Sequence, residues 1–462
     1  MNRNERLILT IAILASFVAF LDGSVINVAL PAITDELGGG LPVQQWVVDA
    51  FLISLGALIL LAGSLSDHYG RWLILRIGLI GFGVTSVAIA LAPTAEVLIV
   101  LRGLQGVAGA LLVPSSLAII IANFSGAAQA KAIGQWTAWT SVAFLAGPLL
   151  GGVFVDFLSW RLVFGINVLP IAVTLVLVSI LKQADERSTD TTIDWIGAVL
   201  SVIGLGGPVF ALIEQANYGW SSPVIYLPFS IGLVALAGFL WRQRRVKYPM
   251  LPLQLFQVRN FSMGNIATVF VYASLSLVPF VLTLYLLQVS GYPATLAALA
   301  MLPPTIGIIA LSSFFGGLSA KYGPRIFMTA GPITMGIGVL VILLTGLGES
   351  VNYFVELFPG VVLLSLGLSA TVAPLTAGIL GSIDPKRSGI GSAINNAVAR
   401  IAGLLAIAAV GLILGAELSV DTIDRALIAG VVLLFAGGIT SWLGIRNPVQ
   451  QSVDAAAPAP QD

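Results

Sequence analysis

The chain has 462 residues, of which 58% are hydrophobic and only 9% are charged. A soluble domain carries about 25% charged residues, so this composition cannot cover a water-facing surface and excludes a soluble enzyme. Lys and Arg together number 21, as do Asp and Glu; there is no Cys and one His. These counts give no basic field for nucleic acid, and they exclude disulfides, Cys-ligated zinc and thiol catalysis.

Apolar stretches of roughly 20 residues, the length needed to cross a membrane, recur fourteen times along the chain. The first follows Arg3 and Arg6, as a secretory signal would, but no small-residue cleavage site precedes Asp22, so we expect it to be retained. A tail from Pro448, ending AAAPAPQD, is expected to be disordered. The predicted spans are 7–33, 44–66, 73–92, 97–121, 131–155, 162–181, 194–213, 224–241, 261–289, 295–318, 326–346, 353–380, 390–414 and 426–445.

The basic residues predict the orientation of these spans, because cytoplasmic loops are enriched in Lys and Arg. With the N-terminus inside, the inner segments hold seventeen of the 21 basic residues, and the outer loops hold only Arg161 and Arg425. An odd number of spans would break this asymmetry. The sequence therefore predicts a plasma-membrane protein with both termini in the cytoplasm. Four basic residues after the eighth span are expected only to fix orientation and contact anionic lipid. They are Arg242, Arg244, Arg245 and Lys247.

Two similar stretches lie 253 residues apart: Gly63–Gly70 reads GSLSDHYG after the second span, and Gly316–Gly323 reads GGLSAKYG after the tenth. Chance recurrence in a chain with 50 glycines is the alternative, but the equal position favours two related halves with two spans inserted between them. Parallel repeats of this kind are a transporter architecture. The predicted boundaries are 1–182 for the N-terminal half, 183–259 for the inserted spans and linker, 260–446 for the C-terminal half and 447–462 for the tail.

Several segments resemble known motifs. The loop GSLSDHYGRW (Gly63–Trp72) resembles GxLaDrxGrk of the major facilitator superfamily, and LIVLRGLQGVAGALLVP (Leu98–Pro114) resembles its RxxQGxgaA motif. AFLAGPLLGG (Ala143–Gly152) resembles the antiporter motif gxxxGPxxGG, with Ala143 where the first Gly is usual.

LDGSVINVALPAI (Leu21–Ile33) and WRLVFGIN (Trp160–Asn167) are similar to segments of fourteen-span drug:proton antiporters of the EmrB/QacA type. This resemblance implies an all-α membrane protein with the major facilitator fold: two six-helix halves plus two inserted central helices. It also implies proton-coupled export of lipophilic drugs by alternating access. No cofactor is expected, and the expected partners of a monomer are small lipophilic substrates, protons and membrane lipids.

The loop motif predicts a conformational contact. Gly63 and Gly70 allow close approach of helix ends, and Asp67 is placed to meet a helix N-terminus or Arg71 across the gap between the halves. The alternative is a loop whose Arg merely holds orientation.

The antiporter motif predicts close helix packing. Gly147, Gly151 and Gly152 form a small-residue face, and Pro148 permits a bend.

Charged residues within spans are costly, so each is a functional candidate. We expect Asp22, Asp49 and Arg102 to form a proton-coupling group, because burial disfavours the charged form of a carboxyl group and a nearby Arg favours it. Alternatively, Asp49 reaches water at the outer end of its span, and Arg102 binds backbone carbonyls.

A second set of residues could line a substrate cavity, with structural packing or interfacial anchoring as the alternative. It comprises Gln135, Trp139, Tyr272, Tyr285, Gln288, Asn395, Asn396 and Arg400.

The energy source is expected to be an ion gradient, because no GxxxxGK[ST] motif occurs. The family resemblance favours protons, and acidic groups in the cavity favour cationic or neutral lipophilic substrates. The alternatives are an exporter of one native metabolite or lipid, an importer, or a membrane sensor that transports nothing. An intramembrane hydrolase is disfavoured, since no predicted span contains His.

Overall fold

The computed structural model describes residues 2–181, 183, 193–348, 351–384, 387–415 and 418–447. All regular elements within those residues are helices, and fourteen of them are long and apolar enough to cross a membrane, as predicted. The tail from Pro448 and the basic residues Lys182, Arg187 and Lys386 lie outside the described residues. Spans 1 to 14 are, in order, Arg3–Val28, Gly40–Tyr69, Arg71–Ala90, Ala95–Asn123, Lys131–Phe157, Leu162–Leu181, Trp195–Tyr218, Pro223–Gln243, Arg259–Val289, Ala294–Tyr322, Pro324–Thr345, Tyr353–Leu380, Ser388–Leu414 and Val420–Gly444.

Two predicted boundaries differ from the structure for identifiable reasons. Span 1 ends at Val28 instead of Ile33, and a separate helix, Leu30–Leu37, follows with Pro31 in its first turn, where proline is tolerated. Span 14 begins six residues earlier than predicted, because the Ser419 side chain caps the helix through the N–H of Thr422. Its first turns are polar, so hydrophobicity alone did not include them.

Because the spans alternate in direction, the bundle has two ends. The N-terminal face carries the start of span 1, the connection between spans 2 and 3, and the segment between spans 8 and 9. The distal face carries the opposite set, including the helix Leu30–Leu37 and the connection between spans 9 and 10.

The internal repeat builds the same helix end twice at the N-terminal face. Gly70 ends span 2 with φ 108°, and Gly323 ends span 10 with φ 86°, a region that favours glycine. The N–H of Gly70 donates to Ser66 O, and the N–H of Gly323 donates to Ser319 O. The repeated sequence therefore corresponds to a repeated local structure.

The inserted spans 7 and 8 form a tightly packed pair. A side chain on Gly207 would clash with the backbone of Pro228, and one on Gly204 would lie 3.2 Å from Leu236 Cα. Span 7 then packs between spans 2 and 13 through a cluster that includes Ile53, Leu205 and Leu404. The pair is thus attached to both halves along one side of the bundle.

The largest core that the two halves share lies toward the distal face. One buried cluster there joins Val47 and Phe164 of the N-terminal half to Leu282 and Ile342 of the C-terminal half. Toward the N-terminal face the clusters are separate, with Leu75 in one and Phe261 in the other. This arrangement closes the distal face and separates the cores of the halves toward the N-terminal face.

Candidate functional site

A buried ion pair lies inside the N-terminal half. Asp22 of span 1 is 0% exposed and Arg102 of span 4 is 1% exposed, with Arg102 Nη1 2.6 Å from Asp22 Oδ2. The structure thus brings together two of the three residues predicted for proton coupling. Two opposite charges removed from water are stable only when their remaining hydrogen-bonding atoms are also satisfied.

Neutral polar side chains form hydrogen bonds with the second carboxylate oxygen of Asp22. Gln105 Nε2 and Asn167 Nδ2 both donate to Asp22 Oδ1, at 3.1 and 2.9 Å, and both also reach Ser86 Oγ. Arg102 donates to Gln105 Oε1 through Nη1, at 2.6 Å. One hydrogen-bonded network around this carboxylate therefore joins spans 1, 3, 4 and 6.

The Arg102 guanidinium also contacts span 2 and two aromatic rings. Its Nε donates to Val47 O at 2.9 Å, and its centre lies 4.4 Å from the Phe51 ring and 5.6 Å from the Phe164 ring. Aromatic faces attract a cation more strongly when water is absent. The carbonyl contact offered as an alternative for Arg102 is therefore present together with the ion pair.

Asp49 is placed differently from Asp22. It is 0% exposed on span 2, and both of its carboxyl oxygens are buried without a hydrogen-bond partner in the described part of the chain. It forms no ion pair with Arg102, and it does not reach water, so the solvated alternative for Asp49 does not describe this conformation.

The C-terminal half contributes a more open polar group. Asn395 Nδ2 of span 13 donates to Thr268 Oγ1 at 2.9 Å and to Asn265 Oδ1 at 3.2 Å, which fixes it to span 9. The Arg400 guanidinium lies 5.9 Å from the Phe20 ring of span 1, and Tyr272 of span 9 is partly buried.

Arg400 thus lies where the two halves meet. A Cβ on Gly56 of span 2 would lie 3.8 Å from Arg400 Cβ, which places these two spans in contact there. Asn396 is partly exposed one turn before Arg400. In the described residues Arg400 makes no hydrogen bond and no ion pair, so this cation keeps its bonding capacity for another group.

The remaining cavity candidates are not joined to this group. Tyr285 is 0% exposed in the distal core, where its hydroxyl donates to Gly348 O at 2.7 Å, so it does not line a cavity. Gln288 is exposed near the distal end of span 9. Gln135 is exposed and Trp139 is 56% exposed on span 5. The neighbouring Trp136 instead donates to Ser16 Oγ of span 1.

The loop motif makes its ion pair within one half. Asp67 Oδ1 lies 3.6 Å from Arg71 Nη2, and both side chains are partly exposed. Among the described residues no hydrogen bond or ion pair joins Asp67 to the C-terminal half. Gly63 has nothing within 4 Å of an added Cβ, whereas Gly70 supplies the left-handed turn at the end of span 2.

The antiporter motif makes close contacts with two neighbouring spans. A Cβ on Gly147 would clash with Ser24 of span 1, and one on Gly151 would lie 2.8 Å from Val25 Cγ2. A Cβ on Gly152 would lie 2.6 Å from Thr295 Cα of span 10. Pro148 lies within a helix that continues to Phe157. The motif thus packs span 5 against span 1 and against the opposite half.

Three members of the Asp22 network were not predicted as site residues. Gln105 and Asn167 lie within the motifs quoted above, and this position is the only feature of the sequence that points to them as site residues. Ser86 belongs to no motif, and nothing in the sequence distinguishes it from other serines in spans.

A model of the Major Facilitator Superfamily matches residues 12–405, and it matches residues 264–461 a second time. The first match alone covers well over half of the chain. This chain belongs to the major facilitator superfamily.

Relatives of this superfamily member include named resistance proteins. The Multidrug resistance protein Stp of Mycobacterium tuberculosis (strain CDC 1551 / Oshkosh) is 33% identical over 91% of this chain and 78% of that protein. The Methylenomycin A resistance protein of Streptomyces coelicolor (strain ATCC BAA-471 / A3(2) / M145) is 30% identical over 95% of this chain and 92% of that protein. The predicted family is therefore confirmed.

The fold is also found in solved structures. The crystal structure of an auto inhibited POT family peptide transporter aligns with a TM-score of 0.68 and 15% identity over 99% of both chains. At that identity the likeness shows the fold alone. Family and fold together make this chain a multi-pass membrane transporter and not an enzyme, as the sequence predicted.

Proposed function

We propose that this major facilitator chain is a proton-coupled antiporter that exports lipophilic drugs, cationic or neutral, by alternating access. Export is supported by the drug and antibiotic resistance proteins among its relatives. Proton coupling is supported chiefly by one observation: the carboxylate of Asp22 is fully buried and paired with Arg102 at the meeting point of four spans.

The pair links charge to conformation. Protonation of Asp22 removes the charge that holds Arg102, so Arg102 must find other partners or move. Arg102 is also bonded to Val47 of span 2, close to the contacts that close the distal face. In the proposed cycle, the state closed at the distal face carries a charged Asp22 and accepts substrate from the N-terminal face. Proton uptake accompanies opening of the distal face and substrate release.

The proposed substrate class follows from the two unpaired intramembrane charges. Asp49 lacks a partner among the described residues, and a lipophilic cation could supply the missing positive charge. Arg400 lies beside Phe20 and offers hydrogen bonds to acceptors of a neutral substrate.

The orientation and assembly belong to the same proposal. The segments predicted to be inner hold seventeen of the 21 basic residues, so we place the N-terminal face and both termini in the cytoplasm and the protein in the plasma membrane. The halves are assigned to 1–182 and 260–446, with the inserted pair and linker at 183–259. The unit of transport is a monomer that works with protons and membrane lipids and without a cofactor.

Ethidium movement in proteoliposomes under an imposed pH gradient tests this proposal. The parent protein should accumulate ethidium against its gradient, and the accumulation should collapse with the pH gradient. Asp22→Asn should abolish it, whereas Asp35→Asn, which removes an exposed carboxylate in the same half, should not. Accumulation that persists in Asp22→Asn would assign coupling to another carboxylate. If ethidium and other lipophilic drugs are never moved, drug export itself is refuted.

A further inference from the structure

A cavity of about 680 Å³ lies at the N-terminal face, outside the network described above. One wall is the segment that leaves span 8, residues 243–257, and the other is the start of span 13. Within the described part of the chain, three cations line it: Arg244 and Lys247 from the first wall and Arg387 from the second. The cavity therefore lies between the inserted pair and the C-terminal half.

Among the residues that the structure describes, no carboxylate lines this cavity. The nearby Asp194 is already committed, because Arg242 Nε lies 2.6 Å from its Oδ1 and Gln243 Nε2 donates to its Oδ2 at 2.9 Å. Asp384, three residues before Arg387 in the chain, also interacts with another group and is not free. The guanidinium groups of Arg244 and Arg387 have no hydrogen-bonded or ionic partner among the described residues. The backbone N–H groups of these two residues donate to Trp241 O and Asp384 O. In the same residues, the ring contact of the Lys247 ammonium is with Tyr248, at 5.4 Å.

The wall that carries Arg244 and Lys247 is held in place. Gln243 is 3% exposed, and its Oε1 accepts the N–H of Leu251 at 3.1 Å while its amide nitrogen binds Asp194. The segment that carries Arg244 and Lys247 is thus held in a folded conformation by the buried side chain of Gln243.

The second wall adds a helix N-terminus to the positive charge. The 21-residue helix of span 13 begins at Ser388, and Arg387 stands at its N-cap position without a side-chain cap. The start of a helix carries a partial positive charge, which favours an anion nearby. Two arginines, one lysine and this helix start converge on one cavity.

The surroundings of the cavity favour a lipid over a soluble anion. Its lining includes the apolar residues Pro252, Leu253 and Ile390. Trp241 is 63% exposed and Tyr248 is 45% exposed beside it, and such aromatic side chains are enriched at membrane interfaces. Basic pockets between membrane helices at this level suit phosphate-bearing lipid headgroups.

We propose that this cavity binds the phosphate headgroup of an anionic phospholipid. Arg244, Lys247 and Arg387 bind the phosphate oxygens, and the apolar lining contacts the glycerol and the start of the acyl chains. The bound lipid bridges the linker after span 8 to the start of span 13, and so holds the inserted pair against the C-terminal half.

Lipid binding to the purified full chain, measured by native mass spectrometry, tests this site. Phosphatidylglycerol and phosphatidylcholine are the probes, with inorganic phosphate and glycerol phosphate as soluble competitors. The pocket variant is Arg244→Gln with Lys247→Gln and Arg387→Gln. The matched control is Arg3→Gln with Arg245→Gln and Arg446→Gln, which removes three exposed charges at the same face. Thermal unfolding in phosphatidylcholine micelles verifies that both variants fold.

The parent and control proteins should retain phosphatidylglycerol, and the pocket variant should bind it roughly 100-fold more weakly, or about fivefold per cation. An equal loss of phosphatidylglycerol binding in both variants would mean that general charge attraction accounts for the binding, and it would overturn the proposed site. Unchanged binding in the pocket variant would also overturn it. Displacement of the lipid by soluble phosphate at equal concentration would overturn the lipid as the ligand. Because the readout is lipid retention, none of these outcomes depends on drug transport.

Discussion

At the scale of single residues, burial of the charged pair of Asp22 and Arg102 carries a large desolvation cost. Removing one partner of such a pair leaves an uncompensated charge and typically costs roughly 3–5 kcal/mol. Replacing both partners with neutral groups is far less costly. Gln105 and Asn167 lower the cost of the intact pair by donating to the remaining oxygen of Asp22, and both also donate to Ser86 Oγ.

Arg102→Leu should lower the melting temperature in detergent strongly, because it leaves Asp22 charged and buried. The double variant Asp22→Asn/Arg102→Leu should recover part of that loss while remaining inactive in coupled transport. Arg71→Leu is the matched control, since its pair with Asp67 is partly exposed and worth roughly 0–1 kcal/mol. If the double variant were no more stable than Arg102→Leu, the two residues would not be a coupled pair in the membrane.

Asp22 and Arg102 could be predicted from the sequence because an ionisable group in a span must be compensated. Their neutral partners could not be predicted with the same force. Gln, Asn and Ser occur in many spans, and hydrophobic patterning does not show which of them face one carboxylate. For Asp49 the sequence predicts a position within a span, but it does not predict that the carboxyl group lacks a partner there.

At the scale of elements, the ends of spans carry the contacts between the halves at the distal face. Asp156, at the end of span 5, accepts the N–H groups of Ala294 and Thr295 at 2.8 Å each and so caps span 10 of the opposite half. Gln45 of span 2 likewise donates to Ile407 O at 2.6 Å, on span 13. These bonds must break when the distal face opens.

Asp156→Ala should therefore favour opening of the distal face. The chain has no Cys, so Ala297→Cys, at a fully buried position of the distal core, provides a single thiol for labelling. A membrane-impermeant maleimide added at the distal face should react several-fold faster in the Asp156→Ala background. Asp35→Ala is the control for loss of a distal carboxylate. An unchanged labelling rate would mean that the cap does not contribute to closure.

A second element-scale prediction concerns the inserted pair. Burial raises the pKa of Asp194, but hydrogen bonds from Arg242, the N–H of Gly197 and Gln243 outweigh it and hold that pKa below its usual value. Its stabilising contribution is therefore complete above the ordinary Asp pKa, about 3.9, and is lost as pH falls through the lowered value. The backbone amides at the start of span 7 should stay protected from hydrogen exchange between pH 7 and about 5. Below about pH 4 this protection should decrease. Asp194→Asn should remove that acid step, and an identical step in the variant would contradict the assignment.

At the scale of the whole molecule, the structure is closed at the distal face and has separate cores toward the N-terminal face. The number of spans and the repeated halves were readable from the sequence, because hydrophobic length and motif position are local signals. The conformation was not readable, since one sequence must permit both open states with similar energy. The attachment of spans 7 and 8 beside spans 2 and 13 also had no sequence signal, because it depends on which apolar faces meet.

In the proposed cycle, substrate and protons move in opposite directions through the protonation of Asp22. The most direct test imposes an outward ethidium gradient on proteoliposomes at equal pH on both sides and follows the internal pH with a trapped dye. In liposomes loaded with ethidium, the parent protein should acidify the interior as ethidium leaves, and Asp22→Asn should release ethidium without changing the internal pH. Ethidium efflux from the parent protein without proton entry would contradict the account, and so would an unchanged proton signal in Asp22→Asn.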